Sequence, residues 1–263
     1  MRYTSLFLTL FSSVCLLQAS DEHRSDQWHE IWQKKGQKAL QSHQSLHEAD
    51  GYEVISQQNW QLIVKNLLLK ARIDTAQSVC EFGCGAGALL DVAKTLNPAL
   101  ELYGFDYTSS LIELAKARFP EGHFWVQSIT QPLPSEVSSR LFDLTICSGV
   151  FMYIDSEDDV TKALENMFSL TREGGKIVLG DISDLAKKEL ALQVRQQTHA
   201  SAANQVAPGA VLDHLYLPKE FFTNFAEAHG LEIEFVEYSQ IDPEGTYSNG
   251  QYRFCLIMTK SAK

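Results

Sequence analysis

Basic residues are scarce in this chain. Lysine and arginine number 22 against 33 aspartate and glutamate, a formal net charge of −11 over 263 residues, and no Lys/Arg run occurs. A nucleic-acid backbone is bound through a basic surface, so this balance argues against a nucleic-acid partner. Cysteine is also sparse: Cys15, Cys80, Cys84, Cys147 and Cys255 are widely scattered. Three of them (Cys80, Cys147, Cys255) sit in apolar strand-like runs, where a thiol behaves as a small buried hydrophobe. Cys80 and Cys84 have no second pair to complete a zinc site, and no metal is expected. Internal repeats and low-complexity tracts are absent. The most apolar stretch, Leu6 to Leu17, is too short for a comfortable transmembrane helix.

What is present is an ordinary globular balance, with 44% hydrophobic and 21% charged residues. The length fits one large α/β domain or two small ones. Residues 1–20 place an arginine before an apolar stretch and then small and polar residues. That is the layout of a secretory signal peptide or, uncleaved, of an anchor. It implies export or membrane anchoring, with membrane contact only through this segment. If the segment does neither, the domain is cytoplasmic. Residues 21–72 read as an N-terminal helical cap. Trp28, Ile31 and Trp32 form a stripe in its first part, and His43 and His47 share a helix face without a third metal ligand. A stronger amphipathic helix over 56–72 carries Trp60, Ile63, Val64, Leu67 and Leu68 in register.

From residue 73 to 263 strands and helices alternate. Strands are predicted at 78–82, 100–106, 123–127, 142–151 and 176–182, with helices between most of them. One of these helices starts at a capping box, Ser110-x-x-Glu113. Helices around 184–200 and 218–229 precede two last strands, 231–239 and 252–260. The loop between these strands is about the length of a long hairpin connection, and a helix is not expected in it. The fold class is therefore α/β: a Rossmann-like sheet, mostly parallel with an antiparallel last strand and helices on both faces.

The stretch "CEFGCGAGALL" (80–90) ends the first strand in a glycine-rich turn. Gly83-x-Gly85-x-x-Ala88 matches a dinucleotide fingerprint, and Gly83-x-Gly85-x-Gly87 suits a different cofactor. Asp106 closes the second strand 23 residues after Gly83, where a carboxylate takes ribose hydroxyls on either reading. Glu81 separates the two. A carboxylate beside a pyrophosphate is repelled, whereas a cofactor with a cationic methionine end welcomes it. The antiparallel end of the sheet also departs from the dinucleotide fold.

With "EFGCGAG", Asp106, "FDLTICSGVFMYI" and "LTREGGKIVLGDI", the chain resembles the class I S-adenosylmethionine-dependent methyltransferases from about Ser78 to Leu256. The resemblance implies a seven-stranded sheet and S-adenosylmethionine as cofactor. It implies that Gly83, Gly85 and Gly87 line the methionine and ribose side, that Glu81 lies near the amino group, and that Asp106 holds the ribose. Tyr107 is then expected on the adenine, and Cys147, Ser148 and Val150 beside the sulfonium. Where the family often carries an acidic residue after the third strand, this chain has Ser128 and Ile129.

The acceptor pocket is expected under the N-terminal helices and the segment after strand five. There His214 is the candidate base, with Tyr216 beside it in sequence. Tyr52, Trp60 and Tyr153 are candidate walls, and Tyr247, Asn249 and Arg253 further candidates. The place where nucleic-acid amino methylases show Asn/Asp-Pro-Pro-aromatic reads "CSGVF". The acceptor is thus expected to be a small or lipid-like molecule, methylated at oxygen or nitrogen. The alternatives are a non-enzymatic cofactor-binding or interaction protein and an NAD(P)-dependent oxidoreductase.

Overall fold

The computed structural model describes residues 24–42, 44–133, 135–201 and 212–262. The leader at 1–20 and His43 lie outside the described residues. Three helices form the cap: α1 (Arg24–Gln41), the single turn α2 (Leu46–Ala49) and α3 (Gln57–Lys70). The expected stripe of α3 is buried, and the Ser56 side chain accepts from Asn59 N at its start. In α1 the expectation is only partly met, because Ile31 is exposed while Trp28 and Trp32 pack against Tyr153. Among the described residues no helix is long and apolar enough to cross a membrane.

The sheet contains β1 (Ser78–Phe82), β2 (Glu101–Asp106), β3 (His123–Val126), β4 (Phe142–Ser148), β5 (Thr171–Ser183), β6 (Leu231–Glu237) and β7 (Arg253–Lys260). Its seven strands run in the order β3-β2-β1-β4-β5-β7-β6. β7 is antiparallel to both β5 and β6, and the β1–β2, β1–β4, β2–β3 and β4–β5 pairings are parallel. The helices that follow in sequence are α4 (Ala88–Leu96), α5 (Ser109–Arg118), α6 (Ser135–Ser138), α7 (Glu157–Leu170), α8 (Lys188–Ser201), α9 (Lys219–His229) and α10 (Tyr238–Ile241).

Each central strand is buried on both faces, which is why it reads as a continuous apolar run. Val79, Leu102 and Leu144 join one core layer with α3, α4 and α5. Cys80, Phe82 and Cys147 join the opposite layer with α7 and α9. The strand order reverses between β1 and β4, and in open α/β sheets ligands bind in the crevice at such a point, beyond the carboxyl ends of the strands.

Four local expectations are corrected. β4 stops at Ser148 because Gly149, at φ +71°, turns the chain into a 3-10 turn over Phe151–Tyr153. β5 starts at Thr171, five residues early, by pairing with Phe142 across a register shift. The connection to the last strand, where the sequence predicts no helix, holds α10 and a 3-10 turn over Ser248–Tyr252, so Tyr238 belongs to a helical turn rather than to β6. Thr108, not Ser110, precedes the first helical residue of α5; Ser110 is buried and its hydroxyl donates to Gln33 O of α1.

Candidate active site

Gly83 and Gly85 shape the turn after β1. Gly83 N and Cys84 N both donate to Phe105 O, at 2.8 and 3.1 Å, tying the turn to the end of β2. Both glycines have positive φ, +74° and +52°. A Cβ on Gly83 would stand 2.5 Å from Val150 Cγ2, and one on Gly85 2.3 Å from Asp50 Oδ1. Neither position admits a side chain. Gly87 sits behind the turn as the residue before α4, and a Cβ there would meet the Phe119 ring at 2.9 Å, not the cavity.

The turn floors a cavity of about 660 Å³. Among the described residues lining it are Asp26, Asp50, Glu81, Asp106, Asp155 and Asp159, and no lysine or arginine. Asp106 is buried and accepts from Gly85 N at 3.1 Å and Thr108 N at 2.8 Å. Burial raises its pKa against the pull of these bonds. Glu81 is 3% exposed, and its Oε2 has no hydrogen-bond partner. Burial, then Asp50 and Asp106, hold its carboxyl well above the usual range. Such a buried acceptor is costly unless a ligand satisfies it.

Asp50 is the residue that sequence reasoning missed. It follows α2 in the cap, and its two oxygens accept from Ala86 N at 2.6 Å and Ala88 N at 3.0 Å. Burial pushes its pKa up to about 7 in spite of both bonds. The only sequence signal is an Asp-Gly turn, Asp50-Gly51, which resembles any other turn. Its position has a chemical consequence. The amides at the start of α4 would face the pyrophosphate of a dinucleotide, and here the chain's own carboxylate holds them.

Other predicted residues divide cleanly. Tyr107 lines the cavity with the His29 ring stacked on it at 4.6 Å. Ser128, Ile129, Ser148 and Val150 also line it, and Ser128 Oγ pairs with Thr130 Oγ1 at 3.0 Å. Cys147 does not; it is buried in the core layer against α7. Tyr52, Trp60 and Tyr153 form an aromatic wall together with Trp32, with Tyr52 and Trp60 ring centres 5.2 Å apart.

Tyr247, Asn249 and Arg253 lie outside this cavity. They belong to a cluster around Asp181, which sits at φ +60° in a β5 bulge. Asp181 accepts from Tyr238 Oη at 2.6 Å, from Tyr247 Oη at 3.1 Å and from Arg253. Asn249 Nδ2 donates to Tyr247 Oη at 3.4 Å. Tyr247 and Asp181 border a second, much smaller void that shares Tyr52, Trp60 and Ser148 with the main cavity. His214 is also off the cavity wall, packed beside the Trp28 and Tyr153 rings. Burial, Arg195, Arg253 and Arg24 lower its pKa to about 2, so it is neutral and a weak proton acceptor. Tyr216 is buried against Ala191 and Tyr252, away from the cavity.

Residues 73–229, more than half of the chain, match a family described as a methyltransferase domain. Three solved structures share the fold. Magnesium protoporphyrin IX methyltransferase from Synechocystis, crystallised with S-adenosylhomocysteine, aligns with TM-score 0.60 at 17% identity, covering 90% of this chain and 98% of that one. The N-methyltransferase NodS from Bradyrhizobium japonicum, also with S-adenosylhomocysteine, aligns with TM-score 0.51 at 20% identity over 78% and 86%. Human N-acetylserotonin methyltransferase with S-adenosylmethionine aligns with TM-score 0.52 at 16% identity over 91% and 67%. The unpartnered Glu81 oxygen, the glycine cradle and a wall without lysine or arginine among its described residues all fit a cationic cofactor. The chain belongs to the methyltransferase-domain family and is a class I S-adenosylmethionine-dependent methyltransferase.

Proposed function

We propose that the cavity holds S-adenosylmethionine over the glycine turn and methylates a small or lipid-like acceptor at oxygen or nitrogen. The observation that carries the acceptor reading is the wall made by Trp32, Tyr52, Trp60 and Tyr153 in a cavity with no lysine or arginine among its described lining residues. Aromatic faces suit an apolar-bodied acceptor and the cationic sulfonium alike. A carboxylate or phosphate acceptor would instead meet carboxylates. A small-molecule name, N-acetylserotonin, among the structural neighbours lends support.

When bound, the cofactor supplies a methyl group already activated on a positively charged sulfur. The chain's own residues hold and orient. Gly83 and Gly85 allow close backbone approach, and Asp106 accepts from the ribose hydroxyls. The free oxygen of Glu81 would accept from the ammonium, and Ser148 and Val150 would lie toward the reacting end. The cap aromatics exclude water and align the acceptor, which is most of what an in-line displacement requires of a protein.

The test is methyl transfer from labelled donor to a panel of phenols, amines, carboxylates, phosphates and nucleic acid. Turnover is expected on the first two classes. Turnover confined to carboxylates, phosphates or nucleic acid would overturn the acceptor reading. Calorimetric titration with S-adenosylhomocysteine and NADH checks the cofactor separately, and only the first should bind.

A further inference from the structure

Asp50 belongs to the cap, yet its carboxyl is seated on the cofactor turn. It occupies Ala86 N and Ala88 N at the start of α4, and Gly85 is the residue that leaves room for it. Three carboxylates from three separate elements therefore converge: Asp50 from the cap, Glu81 from β1 and Asp106 from β2. Asp50 and Asp106 raise the proton affinity of Glu81, and Asp106 raises that of Asp50. Basic groups within electrostatic reach are few. Lys35 of α1 acts on Asp50 but is paired with Glu53 at 2.7 Å, and His29 of α1 acts on Asp106. Cys84 in the turn is a buried thiol, raised by burial and by all three carboxylates. An independent sign that a ligand with a cationic amino group enters the set is Glu81 Oε2, buried, unpartnered and on the cavity wall, a site that donor and product fill alike.

We propose that Asp50 makes the site tell the sulfonium donor from its demethylated product by charge, and ties that choice to seating of the cap. This rests on the donor occupying the cavity as proposed above. At neutral pH the donor carries one net positive charge and the product none. On transfer the methyl passes to the acceptor, the bond pair stays on sulfur, and any acceptor proton goes to water. The sulfonium charge that helped to offset the three carboxylates is then gone, while the ammonium facing Glu81 stays. Asp50 is the member of the set borne by the cap, so repulsion returning after transfer acts on the contact between cap and turn. Product release and loosening of the cap follow from one change of charge.

The experiment is calorimetric titration of the full chain and of Asp50→Asn with three ligands. These are S-adenosylmethionine, S-adenosylhomocysteine and sinefungin, an analogue with an ammonium group in place of the methylated sulfonium. Removing one carboxylate within several ångströms of a cation at a partly screened site is worth on the order of tenfold. The variant should lose about that factor for S-adenosylmethionine and sinefungin and less than about twofold for S-adenosylhomocysteine. Equal loss for all three ligands would mean that Asp50 only props the cap in place, and would overturn the proposal. Binding of none of the three by the unaltered chain would instead sink the donor reading itself. A measurement free of any variant reads the coupling directly. Hydrogen exchange of the peptide spanning residues 83–92 should be slowed more by saturating S-adenosylmethionine than by saturating S-adenosylhomocysteine. Equal slowing would contradict the coupling.

Discussion

Replacing Asp50 by asparagine should invert in sign with pH when stability is measured without cofactor. The wild-type carboxyl moves from 3.8 to about 7 on folding. Between those values the native state holds a proton that the unfolded chain has lost. Stability therefore falls as pH rises through the window, and the loss is complete above about pH 7. A displacement of that size corresponds to about 4 kcal/mol at most. Asp50 is only partly buried and faces a cavity that water enters, which lowers the figure to about 2 kcal/mol. Asparagine keeps one amide-accepting oxygen and gives up the other, a loss of about 1 kcal/mol. At pH 8 the variant should be more stable than wild type by about 1 kcal/mol, or roughly 2–4 °C in Tm for a chain of this size. Near pH 4 only the lost hydrogen bond counts, and the variant should be less stable by a similar amount. Differential scanning calorimetry at both pH values measures this. A variant less stable at pH 8 than at pH 4, relative to wild type, would refute the reasoning that the carboxylate is held in its charged form against the cost of its burial.

Gly85→Ala should cost about 1–3 kcal/mol and at least about tenfold in donor affinity, because both the positive φ and the Asp50 contact forbid the methyl group. Gly87→Ala should cost similar stability yet leave donor affinity within about twofold, since its obstacle is Phe119; calorimetry with S-adenosylhomocysteine separates the two. Asp181→Asn keeps a residue that tolerates left-handed backbone but leaves Arg253 buried beside a neutral group, so a loss of about 3–5 kcal/mol should appear in urea unfolding. His214→Ala should leave single-turnover methyl transfer within about twofold, because a neutral imidazole off the cavity wall is a poor base; a drop of a hundredfold would restore it as one.

The strand-and-helix alternation was legible because each element carries its own period, and the antiparallel end was legible because the connection before β7 carries the turn residues of a hairpin loop, although it also holds the single turn α10. The boundary errors arise where tertiary pairing overrides local pattern. Thr171 joins β5 because Phe142 is there to pair with it, and Ser110 turns to α1 instead of capping its own helix. At the site, Gly83, Gly85, Glu81 and Asp106 could be read because they lie within two adjoining strand ends at fixed spacing. Asp50 could not, since it reaches the turn from 36 residues upstream, across a junction that only packing creates. Asp181 was hidden for another reason. Its role depends on a bulge that turns its carboxylate toward Tyr238, Tyr247 and Arg253, and a strand pattern gives no sign of a bulge.

The deficit of basic residues acts at two levels. Over the whole surface, an excess of 11 acidic charges disfavours a polyanionic partner. Inside the cavity the same shortage has a sharper effect, because the dielectric is lower and the groups stand close. There, Asp50 and Asp106 bear on Glu81 and Asp106 bears on Asp50, with no lysine or arginine among the described lining residues to neutralise them. A site built this way is less stable without its cofactor than a neutral site of the same shape would be, and it recovers that stability when a cation binds. The stability inversion predicted for Asp50→Asn comes first from the desolvation of its carboxylate and only then from Asp106, whereas its loss of preference for the charged donor comes from attraction to the bound cation. A variant showing the first without the second would place the cation elsewhere in the cavity.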